Sequence, residues 1–161
     1  MTGARHRVVV RGARPADGAR VAAMVKALAV SEGKAPGRFS AADFARDGFG
    51  PQRRFTCLVA ARGPTLLGYA IYYPAYDAAT PSYGLHLLDL WVEPDSRDGG
   101  IGSDLIKEVA RRCRDVGGTW ITLHARRRNA ARALYARLGG ASLRLLFLAI
   151  EGEAFATLAA E

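Results

Sequence analysis

The sequence predicts an α+β fold in which helices flank a mixed, mostly antiparallel central sheet, in the order β-α-α-β-β-β-α-β-α-β. Three observations lead to this fold class. The middle of the chain holds three β-rich runs in succession, separated by short turn sequences. The last of these runs passes through a glycine-rich turn into an amphipathic helix. Strand and helix patterns then alternate, which requires a crossover connection.

The N-terminal 50 residues predict one strand and two helices. Residues 7–11 alternate weakly around three valines, as a strand does. Pro15 marks a helix start, and the apolar stripe that follows ends near Gly33. Ser40 and Asp43 have the spacing of a capping box, which predicts a short second helix.

Three antiparallel strands follow. Residues 55–61 and 67–76 are β-rich and are separated by Arg62-Gly63-Pro64, so we expect a hairpin. A third run over 85–92 comes after the turn-like residues 80–84.

In the second half of the chain, helical patterns alternate with strand patterns. Gly117-Gly118 ends the first helix of this half. Residues 153–161 are compatible with a short helix. The predicted elements are a helix over 101–116, a strand over 120–125, a helix from Asn129 or Ala130 to Leu138, and an apolar strand over 143–150.

Length and composition indicate a single domain over residues 1–161. Half of the residues are apolar and 24% are charged, as is usual for a globular protein. No apolar run reaches the length of a membrane span, and the first residues lack the apolar core of a signal peptide. We therefore expect a cytoplasmic protein without a membrane partner. Cys57 and Cys113 have no metal or redox spacing and are expected to be free, buried thiols.

The chain has 23 basic and 15 acidic residues, which give a formal charge of +8. Such a charge is compatible with two kinds of anionic partner. A basic nucleic-acid-binding module is one alternative, and a polyanionic small ligand is the other. The sequence contains no aromatic-basic RNA motif, zinc spacing or helix-turn-helix. We therefore expect neither a nucleic-acid partner nor a metal.

The turn between residues 92 and 103 has the chemistry of an anion site. Glycines at positions 99, 100 and 102 allow the backbone to approach a ligand closely. The helix start adds free amides and about half a positive charge, and Arg97 adds a full charge. The spacing fits neither a nucleotide P-loop nor a dinucleotide fingerprint.

What remains is an R-x-x-G-x-G pattern after a strand, running from Arg97 to Gly102, and it resembles the coenzyme A-binding signature of GNAT N-acetyltransferases. A second stretch, residues 129–141, resembles the N-x-x-A-x-x-[LF]-Y-x-x-x-G helix of the same family. The predicted element order also matches the acyl-CoA N-acyltransferase (GNAT) fold over nearly the whole chain.

The resemblance implies acetyl-CoA as co-substrate and assigns its contacts. In this family, pantetheine lies where the strand before the glycine turn separates from its parallel neighbour. The pyrophosphate lies on the turn and the helix start. The residues so assigned are Leu90, Trp91 and Val92 on the strand, and Arg97, Asp98, Gly99, Gly100, Ile101, Gly102 and Ser103 at the turn.

Catalytic roles follow from the same resemblance. Tyr135 is the expected general acid, which protonates the departing thiolate. The register set by Tyr135 puts Arg128 where the family has asparagine, so Asn129 either reaches the ligand or caps the helix, and we favour the cap.

The amine must be neutral to react, so a base is needed. Asp89, His86 and His124 are the candidates. We choose Asp89 because a charged residue among leucines is costly to bury unless it lines a polar cleft.

Within the family, the chain looks most like the diamine and polyamine acetyltransferases, which use acidic residues around the acceptor. Here Leu88 stands where the first acid would be, and Arg126-Arg127-Arg128 replaces a second acidic run. We therefore expect a small-molecule primary amine that is not strongly polycationic, attacking the thioester directly. Related enzymes often pair through C-terminal strands, which predicts a homodimer. A catalytically inactive coenzyme A-binding protein of the same fold is a further alternative.

Overall fold

A computed structural model describes residues 7–126, 129–143 and 147–160. These residues form a five-stranded sheet with helices on both faces. The strands are β1 (Val9–Gly12), β2 (Thr56–Arg62), β3 (Thr65–Asp77), β4 (Ser82–Val92) and β5 (Trp120–Leu123). The helices are α1 (Gly18–Ser31), α2 (Ala41–Phe49), α3 (Ile101–Asp115), α4 (Arg132–Arg137) and α5 (Gly152–Ala160).

The sheet follows chain order, β1-β2-β3-β4-β5. The first four strands pair antiparallel to their neighbours, whereas β5 lies parallel to β4 after the crossover through α3. The expectation of a mixed, mostly antiparallel sheet is therefore confirmed, and so is the order of elements from β1 to α4.

Local sequence determines how the N-terminal helices begin and end. Ser40 and Asp43 form the expected capping box: the Ser40 hydroxyl accepts from the Asp43 amide, and the Asp43 carboxylate accepts from the Ser40 amide. Gly33 lies just past the end of α1 in the left-handed region, with φ of 74°. Both boundaries agree with the sequence prediction.

The two faces of the sheet carry separate apolar cores. One packs α3 against β2, β3 and β4, with Leu58, Leu87, Leu105 and Val109 at its centre. The other packs α1 and α2 against the opposite face and includes the residues Val21, Met24, Phe44, Tyr69 and Trp91. Because side chains alternate along β4, this strand contributes to both cores.

The expected strand over 143–150 is wrong for the residues of it that are described. Residue 143 and residues 147–150 are not in a strand, and residues 144–146 lie outside the described residues. An apolar run becomes a strand only where its backbone finds a partner strand, which apolarity alone does not guarantee. The chain instead continues into α5, which agrees with the short helix expected near the C-terminus.

No helix among the described residues is long and apolar enough to cross a membrane. Cys57 and Cys113 are free and buried, as expected.

Candidate active site

A β-bulge interrupts β4 at Leu88. Ile71 on β3 pairs with Asp89, but the next β3 residue, Tyr72, pairs with Leu87, so Leu88 is the extra residue. Leu87 is 2% exposed and Leu88 is 53% exposed. The bulge therefore ends one packed stretch of the strand and turns Asp89 toward the face that carries α1.

Beyond the bulge, β4 loses its parallel neighbour. The β4–β5 pairing ends at Leu87 and Leu123, and in the described part of the chain no strand pairs with that edge of β4 from Leu88 onward. The amide of Glu93 donates to Leu67 of β3 at 2.8 Å. Alternation along the strand then turns the amides of Leu90 and Val92 toward the open edge.

The amides of Leu90 and Val92 thus lie where the sequence predicts pantetheine contacts, whereas Trp91 does not. Its side chain is buried in the α1–α2 core, 7% exposed, and its carbonyl faces β3 close to Gly68. Alternation directs its amide to the same side. The backbone of Trp91 thus lies on the paired edge of the strand, and the coenzyme A contact expected of this residue stays a prediction.

The glycine turn leads into α3 through two residues in the left-handed region, Asp98 (φ 63°) and Gly100 (φ 80°). No described side chain caps the start of α3, and the first amide to bond back along the helix is that of Asp104, to the Gly100 carbonyl. The amides of Ile101, Gly102 and Ser103 precede that first bond, and residues 97–100 are exposed. This geometry suits a bound anion.

Arg97 is held at the end of β4 rather than extended into solvent. Its Nε donates to the Val92 carbonyl at 3.0 Å, and its guanidinium carbon lies 4.7 Å from the centre of the Trp91 ring. The hydrogen bond uses one of the five guanidinium donors. Arg97 is thereby placed between the open strand edge and the glycine turn.

Gly102 brings the two signature segments into contact. A Cβ at this position would lie 3.1 Å from Leu134 Cδ2 on α4. The glycine therefore lets α4 pack closely on the start of α3. Tyr135, the residue after Leu134, packs against the α3-side core and is partly buried.

Asn129 is not the N-cap of α4, which is Ala131, but it forms an Asx turn just before the helix. Its Oδ1 accepts from the Ala131 amide at 2.7 Å, which satisfies a free donor just before α4. Arg126 is exposed, while Arg127 and Arg128 lie outside the described residues.

Asp89 is bound by a tyrosine that sequence reasoning missed. The hydroxyl of Tyr69, a fully buried residue of β3, donates to Asp89 Oδ2 at 3.3 Å. Burial raises the pKa of Asp89 and outweighs the hydrogen bond from Tyr69, which lowers it. Burial also raises the pKa of Tyr69, so the phenol remains a donor.

Two carboxylates, those of Glu32 and Asp89, act on Tyr135. Burial is the main reason that the pKa of Tyr135 is raised, and the carboxylates of Glu32 and Asp89 raise it further. Tyr135 comes from the α3 face and Asp89 from the α1 face, so the gap between β4 and β5 joins them. Glu32, at the end of α1, was not expected from the sequence because 57 positions separate it from Asp89.

The two histidines form a ring stack beside this opening. The ring of His86 lies 5.0 Å from Tyr73 and 4.7 Å from His124, and Nδ1 of His86 is 3.0 Å from Thr122 Oγ1. Burial, and then His124, lowers the pKa of His86. The stack lies in the paired part of β4 and β5 and continues to Phe147.

Comparisons with known proteins agree with this geometry. The model of the acetyltransferase (GNAT) family matches residues 24–140. Thialysine N-epsilon-acetyltransferase from Bos taurus is 32% identical over 146 residues, which cover 84% of this chain and 85% of that protein. Spermidine/spermine N(1)-acetyltransferase-like protein 1 from Homo sapiens is 32% identical over 110 residues, 63% of this chain and 16% of its own length.

A solved structure shows the same fold. Ribosomal-protein-alanine N-acetyltransferase from Brucella melitensis superposes with a TM-score of 0.74 at 22% identity, covering 91% of this chain and 100% of that one.

The backbone of the glycine turn can be tested with a matched pair of variants. Gly100→Ala should lower the free energy of unfolding by about 1 kcal/mol, because a Cβ is strained at positive φ. Gly99→Ala is the control, since its φ is not positive and its Cβ would meet nothing closer than 3.7 Å. Urea unfolding of both variants measures the difference, and equal stability would contradict the assigned turn geometry.

The raised pKa of Asp89 predicts a pH dependence of stability. The folded state holds this proton more tightly than the unfolded state, so ionising Asp89 costs stability as pH rises from about 3.8 through the raised pKa. Relative to Asp89→Asn, the wild type should therefore lose unfolding free energy over that range in denaturant titrations.

Asp77→Asn is the control, because stability should change with pH in the opposite direction at this residue. Bonds from Thr80 and the Ala79 amide lower the pKa of Asp77, so wild type should gain stability over this variant as pH rises toward 3.8. Slopes of the same sign for both variants would contradict the environment assigned to Asp89.

Proposed function

The chain belongs to the GNAT family of acetyltransferases, and from this premise we propose that it transfers an acetyl group from acetyl-CoA to a primary amine of a small molecule. The observation that carries the proposal is the open edge of β4 beyond Leu87, next to the uncapped start of α3, with Asp89 on the α1 face of the sheet and Tyr135 on the α3 face. A base, an acid and an anion site therefore share one opening.

The residues present suit coenzyme A. The exposed turn and the first amides of α3 would hold the pyrophosphate, with Arg97 contributing charge. The amides of Leu90 and Val92 would bind the pantetheine chain as a strand would. Bound in this way, acetyl-CoA supplies the activated acetyl group, and the protein supplies position and proton transfer.

Asp89 is the proposed base. The pKa of Asp89 is raised toward neutral pH, and this makes its carboxylate a stronger proton acceptor. Tyr69 donates to one of its oxygens, Oδ2, and so restrains the carboxylate. Asp89 takes the proton of the incoming ammonium, directly or through a water, and the neutral nitrogen then attacks the acetyl carbon. We prefer Asp89 to His86, whose Nδ1 faces Thr122 and whose ring is stacked on both sides.

Tyr135 is the proposed acid. Its raised pKa keeps the phenol protonated at neutral pH. As the carbon–nitrogen bond forms and the carbon–sulfur bond breaks, Tyr135 donates its proton to the departing sulfur. The attacking nitrogen loses its second proton as the amide forms, and this proton restores the phenol of Tyr135, directly or through a water. Asp89 ends the transfer protonated and releases its proton to solvent.

We propose that the acceptor is not strongly polycationic. Leu88 is exposed at the bulge beside Asp89 and adds no charge there, and Arg126 is exposed just after β5. The name of the bovine relative gives the Nε of thialysine as its acceptor, and thialysine is a lysine analogue that carries a carboxylate. An amine of this type fits better than a polyamine.

We propose the cytoplasm as the place of action. Both cysteines are free thiols, and burial raises the pKa of Cys57, which keeps it protonated and unreactive. Unpaired cysteines suit a reducing compartment.

We also propose a homodimer formed through the C-terminal segment. This segment exposes apolar side chains that a monomer would leave in water. The most exposed are Leu143, Phe147, Leu148, Ile150, Phe155 and Leu158.

Tyr135→Phe tests the reaction. We expect turnover to fall about a hundredfold, because the proton for the departing sulfur is lost, while coenzyme A affinity is retained. The measurements are coenzyme A release over a panel of amines grouped by charge, and calorimetric titration with coenzyme A. Tyr83→Phe is the control, because Tyr83 is exposed at the far end of β4 and stacks on Tyr76.

Unchanged turnover in Tyr135→Phe would remove this residue from the mechanism. If wild type binds coenzyme A but releases none with any amine, the catalytically inactive alternative is correct.

Leu148→Asn tests the dimer. Light scattering on a sizing column should give twice the chain mass for wild type and a shift toward monomer for the variant, because a polar group would be buried in the interface. Val116→Asn, an equally apolar and exposed position at the end of α3, should leave the mass unchanged. A monomeric wild type would refute the dimer.

A further inference from the structure

The end of α1 is fixed by backbone hydrogen bonds. The Gly33 amide donates to the Val30 carbonyl and the Lys34 amide donates to the Ala29 carbonyl, both at 2.9 Å. With Gly33 in the left-handed region, this is a Schellman motif. The motif determines where the side chains of Glu32 and Lys34 begin, at the end of a helix that packs on β3 and β4.

Lys34 forms an ion pair with Glu32. Its Nζ lies 2.6 Å from Glu32 Oε2, and the carboxylate is the more buried partner, with side-chain exposures of 25% for Glu32 and 52% for Lys34. An exposed pair of this kind contributes little to stability. A role for this ion pair therefore depends on where it lies in the fold.

Both charges act on the candidate active site. The Glu32 carboxylate raises the pKa of Tyr69, Asp89 and Tyr135, whereas the Lys34 ammonium lowers the pKa of Asp89. Since α1 packs on β3 and β4, the strands that carry Tyr69 and Asp89, its end brings one negative and one positive charge to the face of the sheet on which Asp89 lies.

We propose that Lys34 is the residue that selects the acceptor by charge. This inference rests on the proposed acetyl transfer. Lys34 is itself an alkylammonium, and its contact with Glu32 occupies the place that a second ammonium of a diamine or polyamine would need. Asp89 then receives a single ammonium, so the site selects amines with one positive charge near the reacting nitrogen.

A polycation meets two obstacles at this site. Its second ammonium must displace Lys34 from Glu32, and the displaced lysine remains nearby as a repelling charge. An amine that carries a carboxylate meets neither obstacle, because its negative charge is attracted to Lys34. The same ion pair therefore excludes one class of acceptor and favours another.

Lys34→Met tests the inference, because methionine keeps the length of the side chain and removes its charge. We expect kcat/KM for spermidine to rise about fivefold, mainly through a lower KM, while kcat/KM for butylamine stays nearly constant. Coenzyme A release measures both substrates. Lys26→Met is the matched control, since Lys26 is exposed earlier on α1, and the ratio of the two substrates should not change.

The double variant Glu32→Gln with Lys34→Met gives an independent readout. Without the Glu32 carboxylate, removal of Lys34 frees no binding site for a second ammonium. The double variant should therefore have the same kcat/KM for spermidine as Glu32→Gln alone. A gain that persists, or an equal shift for both amines in Lys34→Met, would overturn the role of Lys34. If Lys34→Met does not fold, Lys34→Gln takes its place with the same expectation.

The outcomes separate the inference from the function on which it rests. Turnover by wild type with an unchanged substrate ratio in Lys34→Met refutes the role of Lys34 and leaves the acetyl transfer standing. No coenzyme A release by wild type with any amine refutes both.

Discussion

The loss of backbone pairing along β4 after Leu87 is the constraint on which the candidate site depends. A parallel strand pair left intact would use the amides of Leu90 and Val92 in the sheet. The bulge at Leu88 bends the strand at this point, and β5 ends with Leu123. One irregularity therefore supplies both an edge that can bind an extended ligand and a passage between the two faces of the sheet.

At this opening, side chains from the two faces of the sheet could contact the same ligand. Asp89 is bound by Tyr69 on the face that carries α1, and Tyr135 packs with the core under α3. Partial burial raises the pKa of both Asp89 and Tyr135, which makes the carboxylate a stronger base and keeps the phenol protonated. In the proposed reaction, the acid and the base are therefore ordinary side chains whose pKa values depend on their limited access to water.

The sequence predicted most of this architecture where the relevant information is local. The capping box at Ser40 and the strand-turn-helix around Gly100 each depend on a few neighbouring residues, and both are present. The direction of the Trp91 amide could not be predicted from the sequence, because it depends on the register with β3. The strand over 143–150 was misassigned because its pairing partner is a tertiary property. Tyr69 and Glu32 were missed for the same reason.

The same distinction explains why the co-substrate is easier to infer than the acceptor. The proposed coenzyme A cradle is one continuous segment that would bind through backbone amides, and its Gly102 lies close to Leu134 on the helix of Tyr135. The acceptor side is assembled from the end of α1, the middle of β3 and the bulge in β4, and its character depends on how Lys34, Glu32 and Asp89 balance one another. A single change from lysine to a neutral residue at position 34 would alter that balance and leave every feature of the glycine turn in place. In this proposal, the choice of acceptor therefore depends on side chains that the fold and the co-substrate site do not require.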